Sequence, residues 1–545
     1  MKIIGVNINR KGIRTSDGRF CYTPPYLEFL NNLCDKYTIL VFDNLDACVA
    51  NLAHLIKLSQ SETARLLDSK SKMTHIAPYT IQYKAGKSFM IAIGWHPALR
   101  KIAHFSDMSQ YCQELRRFDI TDSLERAKLA QDIGRQVYDI FVSLGDEPHS
   151  LTSPVSSFRK SVFRNLNMPM MADIPEEASY LAYQACKGGW AEAFATGHFK
   201  EVLDYDINGC FPSTTAKLID IRDGKWVKSI KQIHLDNATY GYLEGMFETD
   251  KPFHPVILHK DSNNTKDKNF TPTGKYPTGI NLAMYRYIKE KNLGEFTITN
   301  GIFFYANANA KLNPLSAKAN ELYIKKQEAT GLKREIIKVM LEGGFYGLFL
   351  QMFGNEFSEY TNFPYACEIQ TNAQIAVHRA CLESGIMPLA IAVDGVITTA
   401  DKPLNVALSD KLGEWKLNAR GKALIVSSQA HAIENKYNGK EFSLDYDWMI
   451  DYAKENPNAN CFKLDKITCV SLPLAYTRNN IVEVGSLQPE TRKILIRDDK
   501  RIYPKYPTTL SELINNCYSS QPYSAELLMA LNNLADNEIY LRNII

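Results

Sequence analysis

Three short strings in this 545-residue sequence combine residue types that could do chemistry. The first, YDINGCFPS, places Asp206 at the end of a strand-like run, before a turn that Gly209 and Pro212 enforce. A carboxylate on such a rigid edge can hold a hard divalent cation. A solvated aspartate in a plain turn would look the same, so a metal ligand is predicted here only if other strings supply partners.

The second string, KREIIKVMLEGGFYG, is a basic helical pattern that ends in glycines. Lys333, Arg334 and Lys338 fall near one another at helical spacing, and Tyr346 and Gly347 follow at the end. Cations in this arrangement can bind a triphosphate while the aromatic ring meets a base. An ordinary solvated helix face capped by glycines is the simpler interpretation.

The third string, AIAVDGVIT, consists of two apolar runs joined at Asp394-Gly395. This pattern predicts a hairpin that presents one carboxylate at its tip, although Asp-Gly is also a common plain turn. Two strand-end aspartates that bracket a basic helix are what two-metal nucleotidyl transfer requires. The carboxylates hold two ions that activate a primer hydroxyl and neutralise the leaving pyrophosphate, and the helix cations hold the incoming phosphates.

The elements around these strings alternate between strands and helices. Apolar runs at residues 3–6, 38–42 and 88–93 predict strands, and helical periodicity covers residues 45–58 and 124–144. A mixed α/β domain is therefore expected over the first 165 residues. Residues 311–338 carry seven Lys or Arg against three Glu at helical spacing, which predicts a basic helix pair.

Composition bounds the class of protein. The hydrophobic fraction of 45% indicates a globular chain, and the length predicts several domains. Lys plus Arg total 63 against 60 Asp plus Glu, so binding to a polyanion must depend on local patches. Eleven cysteines without a CxxC pair predict reduced thiols and no structural zinc. Without an export signal or a long apolar run, a cytoplasmic protein with no membrane partner is expected.

The three strings resemble motifs A, B and C of the family B DNA polymerases, in the expected order. DINGCFPS is similar to motif A (D-x-x-S-L-Y-P-S), KVMLEGGFYG to motif B (K-x-x-x-N-S-x-Y-G) and AVDGVIT to motif C (D-T-D-S). The string CKGG stands where the family often has Tyr-x-Gly-Gly, and LGEWKLNARGKALIV resembles the segment before its Lys-x-Tyr primer motif. The resemblance covers nearly the whole chain.

The resemblance implies a role for each matching residue. Asp206 and Asp394 would be the catalytic, metal-binding aspartates, with the Ile207 carbonyl as a further ligand to two Mg²⁺ ions, for which Mn²⁺ can substitute. Phe211 replaces the tyrosine that excludes a 2′ hydroxyl, which favours deoxynucleotides. The remaining implied contacts are with the nucleotide, at Lys325, Lys326, Lys338, Tyr346 and Gly347, and with primer DNA, at Gly188, Gly189 and Lys422.

The sequence also departs from the family pattern. Ala392 stands at the first aspartate of motif C, and Leu424 at the tyrosine of the primer motif. Glu342 occupies the Asn-Ser region of motif B, where one extra residue separates Lys338 from Tyr346.

The N-terminal domain resembles the family's 3′–5′ exonuclease, but its catalytic positions differ. Asn7 and Asn9 stand where the first motif supplies Asp-x-Glu, and Cys48 stands at the aspartate of the second. Asp132 survives from the third motif, with Lys128 in place of its tyrosine. Because hydrolysis of a phosphodiester by two divalent ions needs several carboxylates, proofreading is predicted to be absent.

The fold class implied is α/β and α+β multidomain: a ribonuclease-H-like, exonuclease-like domain followed by a right-hand polymerase of palm, fingers and thumb. The expected domains are an inactive exonuclease-like domain at 1–165, palm with an insertion at 166–310, fingers at 311–350, palm at 351–435 and a thumb-like domain at 436–545. The segment between motifs A and B resembles the insertion of the protein-primed branch, whereas only 47 residues separate Gly347 from Asp394. A second insertion, and with it strong strand displacement, is not expected.

The implied partners are primer–template DNA and dNTPs, with a terminal protein or other replication proteins, and the resemblance implies a phage or mobile-element origin, so the compartment would be a bacterial host cytoplasm. A primase-like or self-priming nucleotidyl transferase with the same metals is an alternative, although Phe211 disfavours ribonucleotides. A non-catalytic nucleic-acid-binding polymerase relic is another, against which the retention of Asp206 and Asp394 argues. An unrelated α/β enzyme such as a nuclease would fit only if the three motifs lay apart in space.

Overall fold

The computed structural model divides the chain into two compact units, each built from several stretches of sequence. The first unit comprises Met1–Leu166, Lys325–Met340 and Asp465–Thr491, and the second comprises Asn167–Ile324, Leu341–Leu464 and Arg492–Ile545. The structure describes the chain apart from residues 34–36, 60–61, 63–65, 67–73, 77–78, 85–87, 94–102, 109–110, 112–121, 147, 149–150, 152–153, 261–267, 354–355, 429, 435, 437–444, 471–473, 476–477, 479, 481–482, 484–486, 497 and 536–545.

The strands of the described residues are numbered in chain order. They are Lys2–Asn9 (β1), Gly12–Thr15 (β2), Phe20–Cys21 (β3), Thr38–Phe42 (β4), Thr74–Ile76 (β5), Tyr79–Lys84 (β6), Ser88–Ile93 (β7), Ala103–Asp107 (β8), Ala191–Ala193 (β9), Ala195–Ile207 (β10), Gly224–Lys228 (β11), Tyr240–Thr249 (β12), Leu258–Lys260 (β13), Lys268–Phe270 (β14), Gly274–Asn281 (β15), Glu295–Ala306 (β16), Met352–Phe353 (β17), Glu356–Phe357 (β18), Ala390–Ala392 (β19), Gly395–Thr399 (β20), Trp415–Ser427 (β21), Ala430–Ile433 (β22), Cys461–Cys469 (β23), Leu487–Leu495 (β24) and Cys517–Ser519 (β25).

The α-helices are numbered in the same way. They are Tyr26–Asn32 (α1), Leu45–Leu55 (α2), Ser123–Ser143 (α3), Pro154–Phe158 (α4), Glu176–Ala185 (α5), Cys210–Thr215 (α6), Gln232–Asn237 (α7), Leu282–Lys291 (α8), Ser316–Glu328 (α9), Gly331–Leu341 (α10), Phe363–Glu383 (α11), Tyr446–Glu455 (α12), Leu510–Asn515 (α13) and Ala525–Ala535 (α14). Short 3₁₀ or π segments add Arg159–Phe163, Arg164–Leu166, Met171–Asp173 and Glu342–Gly347. None of the helices described is both long and apolar enough to cross a membrane.

The first unit is built on an eight-stranded sheet in the order β3-β2-β1-β4-β8-β7-β6-β5. The pairs β1–β4 and β4–β8 are parallel, and the helices α2 and α3 pack against β1. Gly5 permits this packing, since an added Cβ would lie 1.7 Å from the Ala127 carbonyl oxygen of α3. The predicted strands and helices are confirmed here, except that α2 ends at Leu55, before Lys57 turns the chain with a φ of 57°.

The apolar core of the first unit draws on distant parts of the chain. Side chains of β1, β4 and α2 form most of this core, and Val470 and Ala475 are buried in the same cluster. The late stretch Asp465–Thr491 therefore completes a core whose other members lie in the first 66 residues.

The second unit contains a central sheet in the order β22-β21-β10-β20-β19-β9, with β25 also paired to β10. The 13-residue strand β10 lies between β20 and β21 and is antiparallel to both. The helix α11 has most of its 21 residues buried, and its first turn is capped by the Asn362 side chain, which accepts a hydrogen bond from the Tyr365 N–H. A second antiparallel sheet, β11-β16-β12-β15, is formed by the segment between motifs A and B.

The basic helix pair and the motif C hairpin predicted from the sequence are both confirmed. The helices α9 and α10 carry the basic residues, and β19 and β20 form the hairpin. The chain then continues from α10 into the π-helical turn Glu342–Gly347.

Candidate active site

The aspartates of motifs A and C lie at adjoining strand ends in the second unit. Asp206 is the penultimate residue of β10, and its partner across the ladder is Gly395 of β20. Asp394 lies in the turn between β19 and β20, and its carbonyl oxygen accepts a hydrogen bond from the Ile207 N–H at 3.2 Å. Two of the three strings are therefore brought together, as the sequence predicted.

The turn that carries Asp394 is held in a strained conformation. Val393 has a φ of 62°, a left-handed value that β-branched residues rarely adopt. Its N–H donates to the Trp190 carbonyl oxygen at 2.7 Å, which fixes the turn to the neighbouring strand segment. Gly189 packs directly against it, since an added Cβ would lie 2.7 Å from Val393 Cγ2. The glycine pair of the CKGG string therefore has a packing role beside the aspartate turn.

The electrostatic environments of the two aspartates differ. A lysine that the sequence patterns did not single out, Lys416 of β21, lies directly across the ladder from Asp206, with its Nζ 2.9 Å from Oδ2. Burial and, next, the negative charge of Asp206 raise the pKa of Asp394 to about 7, while Lys416 opposes this shift. One carboxylate is thus paired with a cation, while its neighbour resists ionisation.

A third acid beside the site, Asp204, plays a structural part. Its side chain is buried and pairs with Lys436 at 2.7 Å. Burial raises the pKa of Asp204 even though the lysine opposes this shift. Asp204 is therefore a salt-bridged neighbour of Asp206 on the same strand.

The donors at this site suit a hard divalent cation. Two carboxylates and the Ile207 main chain offer oxygen ligands, which Mg²⁺ and Mn²⁺ prefer. Within the described part of the chain, no three His, Cys, Asp or Glu side chains cluster closely enough to hold a metal by themselves. This agrees with Ala392 at the motif C position, so a bound ion would complete its shell with backbone, water or phosphate oxygens. On this donor chemistry the residues fit the implied ions.

An aromatic pair brings a residue of the first string into contact with a residue of the second. Phe211 of α6 and Tyr346 of the π-helical turn have ring centroids 4.7 Å apart, with an angle of 51° between the rings. Burial, together with the nearby Cys186 thiol, raises the pKa of Tyr346 above its usual range. The hydroxyl of Tyr346 therefore stays protonated at neutral pH.

A hydrogen-bond network connects this pair to the glycine string. Tyr346 and Cys186 are hydrogen-bonded through their side chains, and the Cys186 thiol donates to Gln370 Oε1 at 3.3 Å. The same oxygen accepts the Gly188 N–H at 2.9 Å, and Gln374 Nε2 donates to the Gly188 carbonyl at 3.2 Å. Both glutamines lie on α11, which the sequence patterns did not identify as part of the site.

The extra residue in motif B is accommodated by the helix itself. Glu342–Gly347 forms a π-helical turn, which closes i→i+5 hydrogen bonds and so holds one more residue than an α-helical turn. The roles of Lys338 and Tyr346 in the motif remain predictions. Gly347 ends this turn in open space, since an added Cβ there would meet no atom within 4 Å.

The predicted phosphate-binding lysines lie on the helix pair. Lys338 is exposed on α10, while Lys325 and Lys326 are partly buried on α9, where Arg334 Nη1 donates to the Lys326 carbonyl at 3.2 Å. These residues belong to the first compact unit, and both aspartates belong to the second.

The predicted primer-binding lysine pairs with an acid of its own sheet. Lys422 of β21 is exposed, and its Nζ lies 3.1 Å from Glu434 Oε1. Leu424, at the position of the family's tyrosine, is fully buried in the core beside β21.

Two of the four predicted exonuclease positions, Asn7 and Cys48, contact a partly buried ion pair in the first unit. Asn7 Nδ2 donates to Asp43 Oδ2 at 3.0 Å, and the Cys48 thiol donates to Asp43 Oδ1 at 3.3 Å. The guanidinium of Arg126 pairs with the same carboxylate at 2.6 Å. The sequence patterns identified neither Asp43 nor Arg126, because their pairing depends on how α3 packs on the sheet.

The two other predicted exonuclease positions, Asn9 and Asp132, have no described contact with this ion pair. The Asn9 side chain accepts hydrogen bonds from the N–H groups of Lys11 and Gly12, which closes the β1–β2 turn. Asp132 is exposed on α3. The four predicted positions therefore do not bring together a set of carboxylates that could hold two divalent ions.

Known proteins resemble this chain in structure and not in sequence. No family model and no curated protein matches the sequence. The solved ternary complex of phi29 DNA polymerase with primer–template DNA and incoming nucleotide is similar, with a TM-score of 0.60 and 14% identity over 91% of this chain and 99% of that chain. Its post-translocation binary complex with primer–template DNA gives a TM-score of 0.60 and 13% identity over 91% of this chain and 100% of that chain.

The chain has the phi29 DNA polymerase fold. A third structure, phi29 DNA polymerase with single-stranded DNA, gives a TM-score of 0.53 and 13% identity over 82% of this chain and 90% of that chain. The likeness to phi29 DNA polymerase therefore bears out, at the level of the fold, the resemblance that the motifs suggested. At this identity the likeness lies in the fold, so residue roles depend on the geometry of the site.

Proposed function

We propose that the chain is a template-directed DNA polymerase that adds dNTPs to a primer 3′ end and lacks proofreading. The observation that carries this proposal is the placement of Asp206 and Asp394 at adjoining strand ends. Strand-end carboxylates of this kind are a rigid support for the ions that phosphoryl transfer requires.

Asp206, Asp394 and the Ile207 carbonyl are the proposed ligands of two Mg²⁺ ions, with Mn²⁺ as a substitute. When bound, such ions activate the primer hydroxyl and neutralise the leaving pyrophosphate. Lys416 holds the Asp206 carboxylate in place before the substrate arrives. The raised pKa of Asp394 favours its neutral form in the free protein, which lowers the repulsion between the two acids.

The aromatic pair is the proposed selector of the nucleotide. Phe211 offers a ring without a hydroxyl, so it can pack against a deoxyribose and leaves no partner for a 2′ hydroxyl. Its contact with Tyr346 fixes the ring, and Tyr346 with Gly347 would form the floor for the new base pair. The cations Lys338, Lys325 and Lys326 are the proposed contacts to the triphosphate.

The absence of proofreading is proposed from the ion pair in the first unit. Arg126 supplies a positive charge next to Asp43, where Asn7 and Cys48 offer neutral groups. A guanidinium beside this buried carboxylate opposes the binding of divalent cations there. Primer–template DNA and dNTPs are the proposed substrates, and a terminal protein is a further candidate partner.

Primer extension tests this proposal. A labelled primer–template would be incubated with Mg²⁺ and dNTPs, NTPs or no nucleotide, for the wild type and for Asp206→Asn. We expect extension with dNTPs only, no shortening without nucleotide, and no product from the variant. Shortening of the primer would contradict the loss of proofreading. A wild type that extends no primer, including one carried by a protein, would contradict the polymerase proposal.

A further inference from the structure

The hairpin at the edge of the first unit carries two exposed aromatic side chains that already stack. Phe20 is 57% exposed and Tyr22 is 47% exposed. Their ring centroids are 5.1 Å apart, and the rings are inclined by only 30°. Because large aromatic side chains are mostly buried in folded proteins, two exposed and stacked rings make this surface a candidate ligand-binding site.

An arginine extends this stack. The guanidinium carbon of Arg14 lies 5.4 Å from the centroid of the Phe20 ring. Arg14 Nη1 also donates to the Tyr22 hydroxyl at 3.1 Å, so one side chain holds both rings in position. The arrangement exists in the free protein, so a ligand that stacks on it does not have to order these side chains first.

The charge of the hairpin favours an anionic ligand. Residues 10–22 contain four Lys or Arg and one Asp, a net charge of +3, which equals the net charge of the whole chain. The single acid, Asp17, is paired with Arg19 at 2.5 Å. Asp122 accepts two backbone N–H groups at the start of α3, which lower its pKa, and Arg14 lowers this pKa further. Arg10 and Lys11 remain exposed at the β1–β2 turn.

The strand pairing places the stack on the same face of the sheet as the degenerate exonuclease residues. Phe20 of β3 pairs with Arg14 of β2, which pairs with Asn7 of β1. Directly opposed residues point to the same face, so these three side chains form one row across the strands. The strand β3 is the last in the sheet order, so the row ends at an open edge.

We propose that Phe20, Tyr22 and Arg14 form a stacking platform that binds single-stranded nucleic acid. Bases would extend the aromatic stack, and the exposed cations Arg10 and Lys11 would contact the phosphates. The platform binds without regard to base identity, because every base has a ring face to stack. The proposal does not rest on the polymerase function, since it concerns a different surface.

Photocross-linking tests this platform on the full-length protein. A short oligothymidylate that contains 5-iodo-deoxyuridine would be irradiated with the protein in EDTA without nucleotide, and the attached peptide identified by mass spectrometry. We expect cross-links to the peptide that contains Phe20 and Tyr22. Since neither metal nor dNTP is present, a protein that fails in primer extension can still pass this test.

Affinity for the same oligonucleotide, labelled with fluorescein, would be measured by anisotropy. The double change Phe20→Leu with Tyr22→Leu should weaken binding about tenfold, the range expected for the loss of one base–aromatic stack. Phe20→Trp should keep the affinity because it keeps a ring for a base to stack on, and the identity of the cross-linked peptide decides the matter if the double variant does not fold. Tyr37→Leu is the matched control, because Tyr37 is 61% exposed in the same unit but outside the hairpin.

Two results would overturn the platform. One is cross-linking confined to other peptides, and the other is an unchanged affinity in the folded double variant. If instead the hairpin captured a protein partner and no oligonucleotide, the surface would be a protein-binding site and the proposal would be wrong.

Discussion

Lys416 shows how a single residue can change what a pair of acids does. Two carboxylates at adjoining strand ends repel each other, and the ammonium 2.9 Å from Asp206 relieves that repulsion on one side only. Asp394 is left half-buried with a raised pKa. The two acids are therefore unequal before any ion arrives.

Asp394→Asn is expected to lower primer extension by at least about a thousandfold, because it removes a metal ligand that contributes several kcal/mol to the transition state. Folding and DNA binding should be unchanged, since the volume is almost constant. Asp401→Asn, at an exposed acid beyond the same hairpin, is the control and should be neutral. Full activity in a folded Asp394→Asn protein would remove Asp394 from the site.

At the residue scale, the sequence predicted the acids but not their partners. Asp206 and Asp394 stand out because a strand end and a tight turn can be recognised from neighbouring letters. Lys416 and Arg126 do not stand out, because each depends on the register of a distant strand or the packing of a helix. Nothing in local spacing encodes these pairings.

At the scale of the elements, the conformation of the turn between β19 and β20 depends on contacts with neighbouring residues. Gly189 and the Trp190 carbonyl hold Val393 in a left-handed conformation, which costs free energy. The sequence predicted the hairpin and the basic helix pair from local periodicity. It did not predict the π-helical turn, because the additional residue in such a turn looks like an insertion in motif B when only the sequence is read.

Gly189→Ala is expected to slow extension about a hundredfold, because its Cβ would displace Val393 and with it Asp394. Val393→Ala removes the γ carbons that the new methyl group would meet, so the double variant should recover part of the activity. Single-turnover extension by the three variants measures this coupling. No recovery in the double variant would mean that Gly189 acts through another contact.

The helix α11 buries an acid that should make stability depend on pH. Burial raises the pKa of Glu368 to about 7, although Asn281 and Tyr242 beside it favour the charged form. The folded state therefore keeps a proton that the unfolded state releases near pH 4.5. The stability that this protonation provides is complete below about pH 4.5 and is lost as the pH rises through about 7.

Glu368→Gln is expected to stabilise the protein at pH 8 by up to about 3 kcal/mol, since it keeps the site neutral. Near pH 4 the variant and the wild type should be equal. Urea unfolding midpoints at both pH values give the comparison, with Glu359→Gln as an exposed control. An equal difference at the two pH values would show that Glu368 does not titrate as expected.

For the whole molecule, the likeness to phi29 DNA polymerase lies in the fold and does not by itself assign an activity to either unit. The motif strings predicted a resemblance to polymerases, and the fold is similar to that of phi29 DNA polymerase at 13–14% identity. The loss of nuclease activity remains a prediction. The ion pair of Asp43 and Arg126 gives it a physical reason that the sequence patterns alone did not contain.

The double change Asn7→Asp with Asn9→Glu is not expected to produce primer shortening. Position 48 would still lack a carboxylate, and Arg126 would still neutralise Asp43. The measurement is incubation of a labelled primer with Mg²⁺ and no nucleotide, with the wild type alongside. Shortening by the double variant would show that the second exonuclease motif lies elsewhere.

The core of the first unit has a consequence for the biosynthesis of the chain. Val470 and Ala475 complete a cluster that begins with Ile4, so the ribosome must translate most of the message before that core can close. Until then the apolar faces of β1, β4 and α2 stay partly uncovered and available to chaperones or to neighbouring chains. A messenger truncated before codon 465 would therefore yield an aggregation-prone product even though every N-terminal strand is present.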